Sequence, residues 1–61
     1  MTEERARELL SEWIREDDTL LFYGPYVSWV PTRPIVLDGE FTADELEALA
    51  WWMRNIVRKT S

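Results

Sequence analysis

Two adjacent tryptophans, Trp51 and Trp52, lie within a segment whose apolar spacing predicts an α-helix. Consecutive helical residues point about 100° apart, because an α-helix has about 3.6 residues per turn. One small core therefore cannot easily bury both rings. The predicted core stripe of this helix consists of Leu46, Leu49, Ala50, Met53, Ile56 and Val57. With that stripe facing inward, we expect Trp52 to be half-buried at its flank, and Trp51 to face away from the core on the same side as Ala48.

The start of this helix is predicted by local chemistry. Thr42-Ala43-Asp44-Glu45 matches a capping box, in which the threonine hydroxyl and the glutamate carboxylate each accept a bond from a backbone N–H that the helix leaves unpaired. Phe41 and Leu46 stand at the positions of a hydrophobic staple, so we expect Phe41 to pack against the protein.

A first amphipathic helix is predicted from Thr2 to about Asp17, with Thr2 as its N-cap. Its apolar residues recur with helical spacing at Ala6, Leu9, Leu10, Trp13 and Ile14. Successive i+4 positions on the opposite side carry an acidic strip, Glu4, Glu8, Glu12 and Glu16. The strip has two interpretations: a surface that imitates a phosphate backbone or docks on a basic groove, or an ordinary solvated helix face. The second is favoured because three arginines interleave with the acids.

Between the helices, Leu20–Tyr23 and Tyr26–Val30 are rich in aromatic and β-branched residues and are separated by Gly24-Pro25, which predicts a β-hairpin. A two-residue loop sets Tyr23 opposite Tyr26 and Leu20 opposite Trp29. Alternation then places Leu20, Phe22, Val27 and Trp29 on one apolar face, and Leu21, Tyr23, Tyr26, Ser28 and Val30 on the other. Ile35–Leu37, which ends at Asp38-Gly39, is predicted to form a short third strand or an extended edge segment.

These elements predict one α+β domain over residues 1–61, in the order α-β-β-(β)-α. Two amphipathic helices flank a short antiparallel hairpin or three-stranded sheet and pack on its more apolar face. Apolar side chains are then left over in two places, around Trp51, Trp52 and Ala48, and on the hairpin face that carries Leu21, Tyr23, Tyr26 and Val30. Unburied apolar surface of this kind predicts a homo-oligomer, with a dimer favoured, or a protein partner with an apolar or basic surface.

Composition narrows the classes of function. The 61-residue chain has neither cysteine nor histidine, so thiolate and imidazole chemistry are excluded and neither a cofactor nor catalysis is expected. Its net charge of −5 weighs against direct binding to nucleic acid, because phosphate contacts need lysine and arginine. No run of apolar residues approaches a membrane span, and the N-terminus does not match a signal peptide. We therefore expect a cytoplasmic protein.

Residues 36–49 combine a strand, an Asp-Gly turn, a Phe-Thr cap and a helix rich in Glu, Leu and Ala. This segment, about a quarter of the chain, resembles small orphan accessory proteins of tailed phages that infect actinobacteria. The resemblance implies an accessory protein that acts on the host by binding a host protein.

The sequence thus favours a small, acidic, non-enzymatic protein-protein interaction module. Two other functions stay open: an acidic nucleic-acid mimic or regulator of a DNA-binding protein, and a structural assembly subunit.

Overall fold

The computed structural model describes the backbone of residues 1–60 and the side chains of residues 1–56. Along the chain lie α1 (Glu3–Leu10), β1 (Leu20–Tyr23), β2 (Tyr26–Trp29), β3 (Val36–Asp38) and α2 (Ala43–Thr60). The strands form one antiparallel sheet in the order β1-β2-β3. The predicted α+β fold with the order α-β-β-β-α is therefore confirmed.

Helix α1 is shorter than predicted. Thr2 caps it as expected, since its hydroxyl accepts a hydrogen bond from the backbone N–H of Arg5 at 3.2 Å. The helix ends at Leu10 rather than near Asp17, because the residues that follow pair with β1 instead. Ile14 forms an antiparallel bridge with Leu20. This pairing with β1 satisfies backbone groups that a longer helix would have bonded internally.

Hydrogen bonds to the Asp17 side chain stabilise the loop between α1 and β1. One carboxylate oxygen of Asp17 accepts hydrogen bonds from both the backbone N–H and the hydroxyl of Thr19, at 3.2 Å and 2.6 Å. Asp18, between them, has a left-handed backbone with φ of 64°, a conformation that Asp tolerates better than most residues. The Thr19 hydroxyl, followed by the Thr19 N–H, lowers the pKa of Asp17 below its ordinary value of 3.8.

The hairpin has the predicted register. Gly24 and Pro25 form its loop, Tyr23 pairs with Tyr26, and Leu20 pairs with Trp29. Strand β3 begins one residue later than predicted and pairs with β2, placing Leu37 opposite Val27.

Helix α2 begins with the predicted capping box. The Glu45 carboxylate accepts a hydrogen bond from the N–H of Thr42 at 2.8 Å, and the Thr42 hydroxyl accepts one from the N–H of Glu45 at 3.1 Å. Phe41 packs against the core, with its ring edge-on to Trp13 at 5.9 Å between centroids. Leu46 does not join it, since 46% of Leu46 is exposed.

The core stripe of α2 differs from the prediction. Its buried residues are Ala48, Leu49, Trp52 and Ile56, whereas Ala50 is exposed and Met53 is only partly buried. Val57 lies outside the described side chains. The helix is rotated so that its largest buried side chain, Trp52, enters the core in place of Leu46, which removes more apolar surface from water. From the rest of the chain, the core includes Ala6, Leu10, Trp13, Leu20, Val27 and Trp29.

Trp52 is bonded as well as buried. Its indole N–H donates to the backbone carbonyl of Asp18 at 3.0 Å, which supplies the partner that a buried indole N–H requires. The guanidinium of Arg7 lies 4.9 Å from the ring centroid, in cation–π geometry, and is held there by a 3.0 Å ion pair with Glu3. One side chain of α2 thus contacts both α1 and the loop that follows it.

We expect Thr19→Val to raise the pKa of Asp17 toward its ordinary value, because valine keeps the shape of threonine but cannot donate the hydroxyl hydrogen bond. A carboxylate whose pKa is depressed in the folded state stabilises the protein above the unfolded pKa and loses that contribution as the pH falls through the folded pKa. Stability that wild type loses as the pH falls below about 4 should therefore depend less on pH in the variant. NMR titration of the Asp17 carboxyl carbon measures the shift, and an unchanged pKa would contradict the assignment.

We expect Trp52→Ala to lower the free energy of unfolding by about 3–5 kcal/mol, the usual cost of removing a buried aromatic side chain. Urea denaturation followed by circular dichroism measures this. Leu46→Ala is the matched control, because Leu46 lies on the same helix but is half-exposed. It should lower the free energy of unfolding by less than about 1 kcal/mol.

If Trp52→Ala does not fold, Trp52→Phe keeps most of the apolar surface and isolates the indole hydrogen bond. It should cost roughly 1–3 kcal/mol, since the Asp18 carbonyl loses its partner. Equal stability of Trp52→Phe and wild type would show that this bond contributes nothing.

Candidate interaction surface

The outer face of the sheet is the side turned away from the buried side chains of β1 and β2. Directly paired residues of an antiparallel sheet share a face. The pairing therefore builds two cross-strand rows: Leu21, Ser28 and Val36 in one, and Tyr23, Tyr26 and Asp38 in the other. Val30 follows β2 and adjoins the first row. We use "outer face" for these seven residues.

Most of the outer face is open to solvent. The exposed fractions are 77% for Tyr23, 55% for Val36, 49% for Val30 and 36% for Tyr26. The two tyrosine rings pair across the hairpin with 6.0 Å between their centroids. Four exposed apolar or aromatic side chains on one small sheet therefore lie where no described part of the chain covers them.

The outer face is almost free of charge. Its one ionisable carboxylate, Asp38, lies at the end of β3, although the chain as a whole carries a net charge of −5. Apolar surface with few charges is what the centres of protein interfaces have in common, and tyrosine is among the residues enriched there.

A shallow groove of about 380 Å³ continues the outer face beyond the end of β2. It is lined by Ser28, Trp29, Val30, Arg33, Pro34 and Val36. Two hydrogen bonds hold the loop that forms its wall. The indole N–H of the buried Trp29 donates to the carbonyl of Arg33 at 3.0 Å, and the Arg33 N–H donates to the carbonyl of Val30 at 3.2 Å. Thr32 adopts a left-handed backbone, with φ of 71°, to complete this turn. Arg33 places one positive charge beside the apolar surface.

The second predicted surface, around Trp51, is largely absent. Trp52 and Ala48 are fully buried within the chain, so the prediction that they belong to an interface is wrong. The rotation of α2 that buries Trp52 accounts for both. Trp51 is only partly exposed, packs against the core, and lies 6.4 Å from the Trp52 ring. Part of one side chain, rather than a broad apolar patch, is therefore exposed there.

The predicted acidic ridge is interrupted. Glu4 and Glu8 lie on α1, but Glu12 and Glu16 lie beyond its end, so the four carboxylates do not follow one helix face. Glu8 forms an ion pair with Arg5 at 3.5 Å. Glu12 and Glu16 line an open depression of about 490 Å³ that also contains Arg15. The prediction that all four glutamates lie along one helix face is therefore wrong.

Val36, Asp38 and Arg33 were missing from the surface predicted from the sequence. Asp38 lies on the outer face because it pairs with Tyr26. Val36 joins the outer face only because β3 pairs in the register that sets it beside Ser28, and Arg33 reaches the groove only because the loop folds back to Trp29. The alternation of Ile35, Val36 and Leu37 gave a usable signal for Val36 once the third strand was assumed.

Among the described residues, no cluster of three or more His, Cys, Asp or Glu side chains is arranged to hold a metal ion. Within that same part of the chain, no helix has the length and apolar character needed to cross a membrane. Comparisons with protein-family models, curated proteins and solved structures find no match. The resemblance of residues 36–49 to phage accessory proteins therefore stays a prediction.

We expect Trp29→Phe to loosen the groove wall, because phenylalanine cannot donate to the Arg33 carbonyl. The free energy of unfolding should fall by roughly 1–3 kcal/mol. Hydrogen exchange provides the local readout: the Arg33 amide should exchange faster relative to the Leu21 amide, which bonds to the Trp13 carbonyl at the far side of the sheet. Equal acceleration of both amides would mean that the bond has no local role.

Proposed function

We propose that this protein is a non-enzymatic protein-protein interaction module and that the outer face of the sheet is its binding surface. One observation carries the proposal: an exposed, nearly uncharged surface with a tyrosine pair and aliphatic side chains stands on a chain whose other surface is strongly acidic. Surfaces of this composition gain free energy when a partner removes them from water.

The outer face favours a flat, apolar partner surface. Tyr23 and Tyr26 offer two rings for packing and two hydroxyl groups for hydrogen bonds, which suits them to the centre of a contact. Arg33, at the groove, is placed to meet a carboxylate at the edge of the partner. Three short strands cover less area than the roughly 800 Å² per partner of a standard stable interface, so we expect a micromolar rather than a nanomolar complex.

The proposal includes two possible biological roles for the binding surface. An accessory protein that binds a host protein in the cytoplasm agrees with the phage resemblance, and a subunit of a larger assembly would use the same surface. The nucleic-acid mimic has less support, because the four glutamates that would carry it are divided between α1 and the loop beyond it.

A pull-down with charge-matched variants tests the proposal. In Tyr23→Lys/Val36→Lys, two positive charges enter the outer face. In Glu4→Gln/Glu8→Gln, two negative charges leave α1, so the change in net charge is the same. Both pairs of sites are exposed, and we expect both variants to fold, as circular dichroism can verify.

A partner of the outer face should be retained by wild type and by Glu4→Gln/Glu8→Gln, but lost from Tyr23→Lys/Val36→Lys. Its binding should also survive about 0.5 M salt, because apolar contacts are not screened. The reverse pattern, with loss in the glutamine variant and in salt, would overturn the proposal in favour of an acidic recognition surface.

A further inference from the structure

The two edges of the sheet are unequal. The outer edge of β1 is occupied by the chain itself: Ile14 bridges to Leu20, the Arg15 N–H donates to the Thr19 carbonyl at 2.8 Å, and the Leu21 N–H donates to the Trp13 carbonyl at 2.9 Å. The outer edge of β3 has no such cover, since among the described residues β3 pairs only with β2. Unpaired strand edges carry backbone donors and acceptors that pair readily with another strand.

Strand β3 is uncovered on its faces as well as at its edge. Val36, on the outer face, is 55% exposed. Leu37 lies on the inner face, opposite the fully buried Val27, yet is itself 36% exposed. The apolar cover provided by the helices therefore stops at β2, and a neighbouring strand beside β3 would shield apolar side chains on both faces.

The charges around β3 are self-complementary. Arg33 precedes the strand, Val36 and Leu37 are apolar, Asp38 ends the strand and Glu40 follows it. All three charged side chains are exposed, and none takes part in the ion pairs found among the described side chains, which lie within α1. Two copies of this segment side by side in antiparallel orientation bring the basic start of each next to the acidic end of the other. A parallel orientation would bring like charges together.

From this pattern we propose that the occupant of the β3 edge is a second copy of the chain, paired antiparallel about a twofold axis perpendicular to the sheet. The two three-stranded sheets then form one continuous six-stranded sheet. A twofold contact of this kind uses the same surface on both subunits, which the segment from Arg33 to Glu40 satisfies with opposite charges at its two ends.

This contact uses the edge of β3, whereas the proposed function uses the outer face, and the two surfaces adjoin at Val36, Asp38 and Arg33. Tyr23 and Tyr26, on the strands farther from the contact, stay open to a partner. The twofold axis keeps both outer faces on the same side of the extended sheet, so the dimer presents two copies of the outer face next to each other. Neither of the two apolar surfaces expected from the sequence is then the self-association site.

Complementary charge variants test the orientation of the contact. Arg33→Glu makes both ends of the segment acidic, and Asp38→Arg/Glu40→Arg makes both ends basic. Each variant alone should dimerise at least about tenfold more weakly than wild type, because two symmetric attractions become repulsions. An equimolar mixture of the two variants should recover dimer formation, since each basic end again meets an acidic end.

Analytical ultracentrifugation over a concentration series measures these masses, starting from 7.3 kDa for one chain. Amide chemical shifts that change with protein concentration should map to residues 33–40, and the β3 amides should gain protection from hydrogen exchange. Tyr23→Lys/Val36→Lys is not used here because Val36 borders the edge; Tyr23→Lys alone is the control and should dimerise like wild type.

Three results would overturn the proposal. The first is a monomer at all concentrations up to about 1 mM, well above the micromolar range of functional contacts. The second is a dimer that the charge variants leave unchanged or that their mixture fails to restore. The third is a set of concentration-dependent shifts centred on Tyr23 or Trp51 instead of β3. Tyr23→Lys separates this proposal from the proposed function, since it should lose partner binding while its dimer stays intact.

Discussion

The fold depends on how Trp52 is held. Its ring is fully buried, its N–H is bonded to the Asp18 carbonyl in the loop after α1, and Arg7 of α1 covers the ring. A chain of 61 residues without disulfides buries little apolar surface, so one side chain that connects three segments carries a large share of the stability. Asp18, with its left-handed backbone in the loop after the early end of α1, supplies the carbonyl that the ring binds. The rotation of α2 brings the ring to this position.

Local chemistry made much of the fold predictable. The hairpin register followed from a two-residue loop between alternating side chains, and the start of α2 followed from the Thr42–Glu45 capping box. The wrong predictions concern the end of α1 and the rotation of α2, where contacts with other elements decide between arrangements that the local sequence allows. Residues after Leu10 have helical spacing, but Ile14 finds a backbone partner in Leu20. The apolar residues of α2 allow more than one stripe, and the fit of Trp52 to the rest of the core decides between them.

The candidate surface, like the fold, was predictable where local strand geometry determines which residues share a face. Leu21, Tyr23, Tyr26 and Val30 could be assigned to one face from alternation alone, because strand geometry fixes it. The expected interface at Ala48 and Trp52 depended on the rotation of α2, which sequence spacing left open. The position of Arg33 beside the groove was not predicted, because it follows from the hydrogen bond between the buried Trp29 indole and the Arg33 carbonyl.

The bridge between Ile14 and Leu20 has a consequence for growth of the sheet. A sheet with two open edges can add copies at both ends and extend into a fibre, whereas a sheet with one closed edge can add a neighbour on one side only. Residues 13–15, which follow α1, occupy the β1 edge beside Leu20, so a further strand can be added only at the β3 edge. The backbone pairing of Trp13 to Arg15 with β1 thus limits where a further strand can join the sheet.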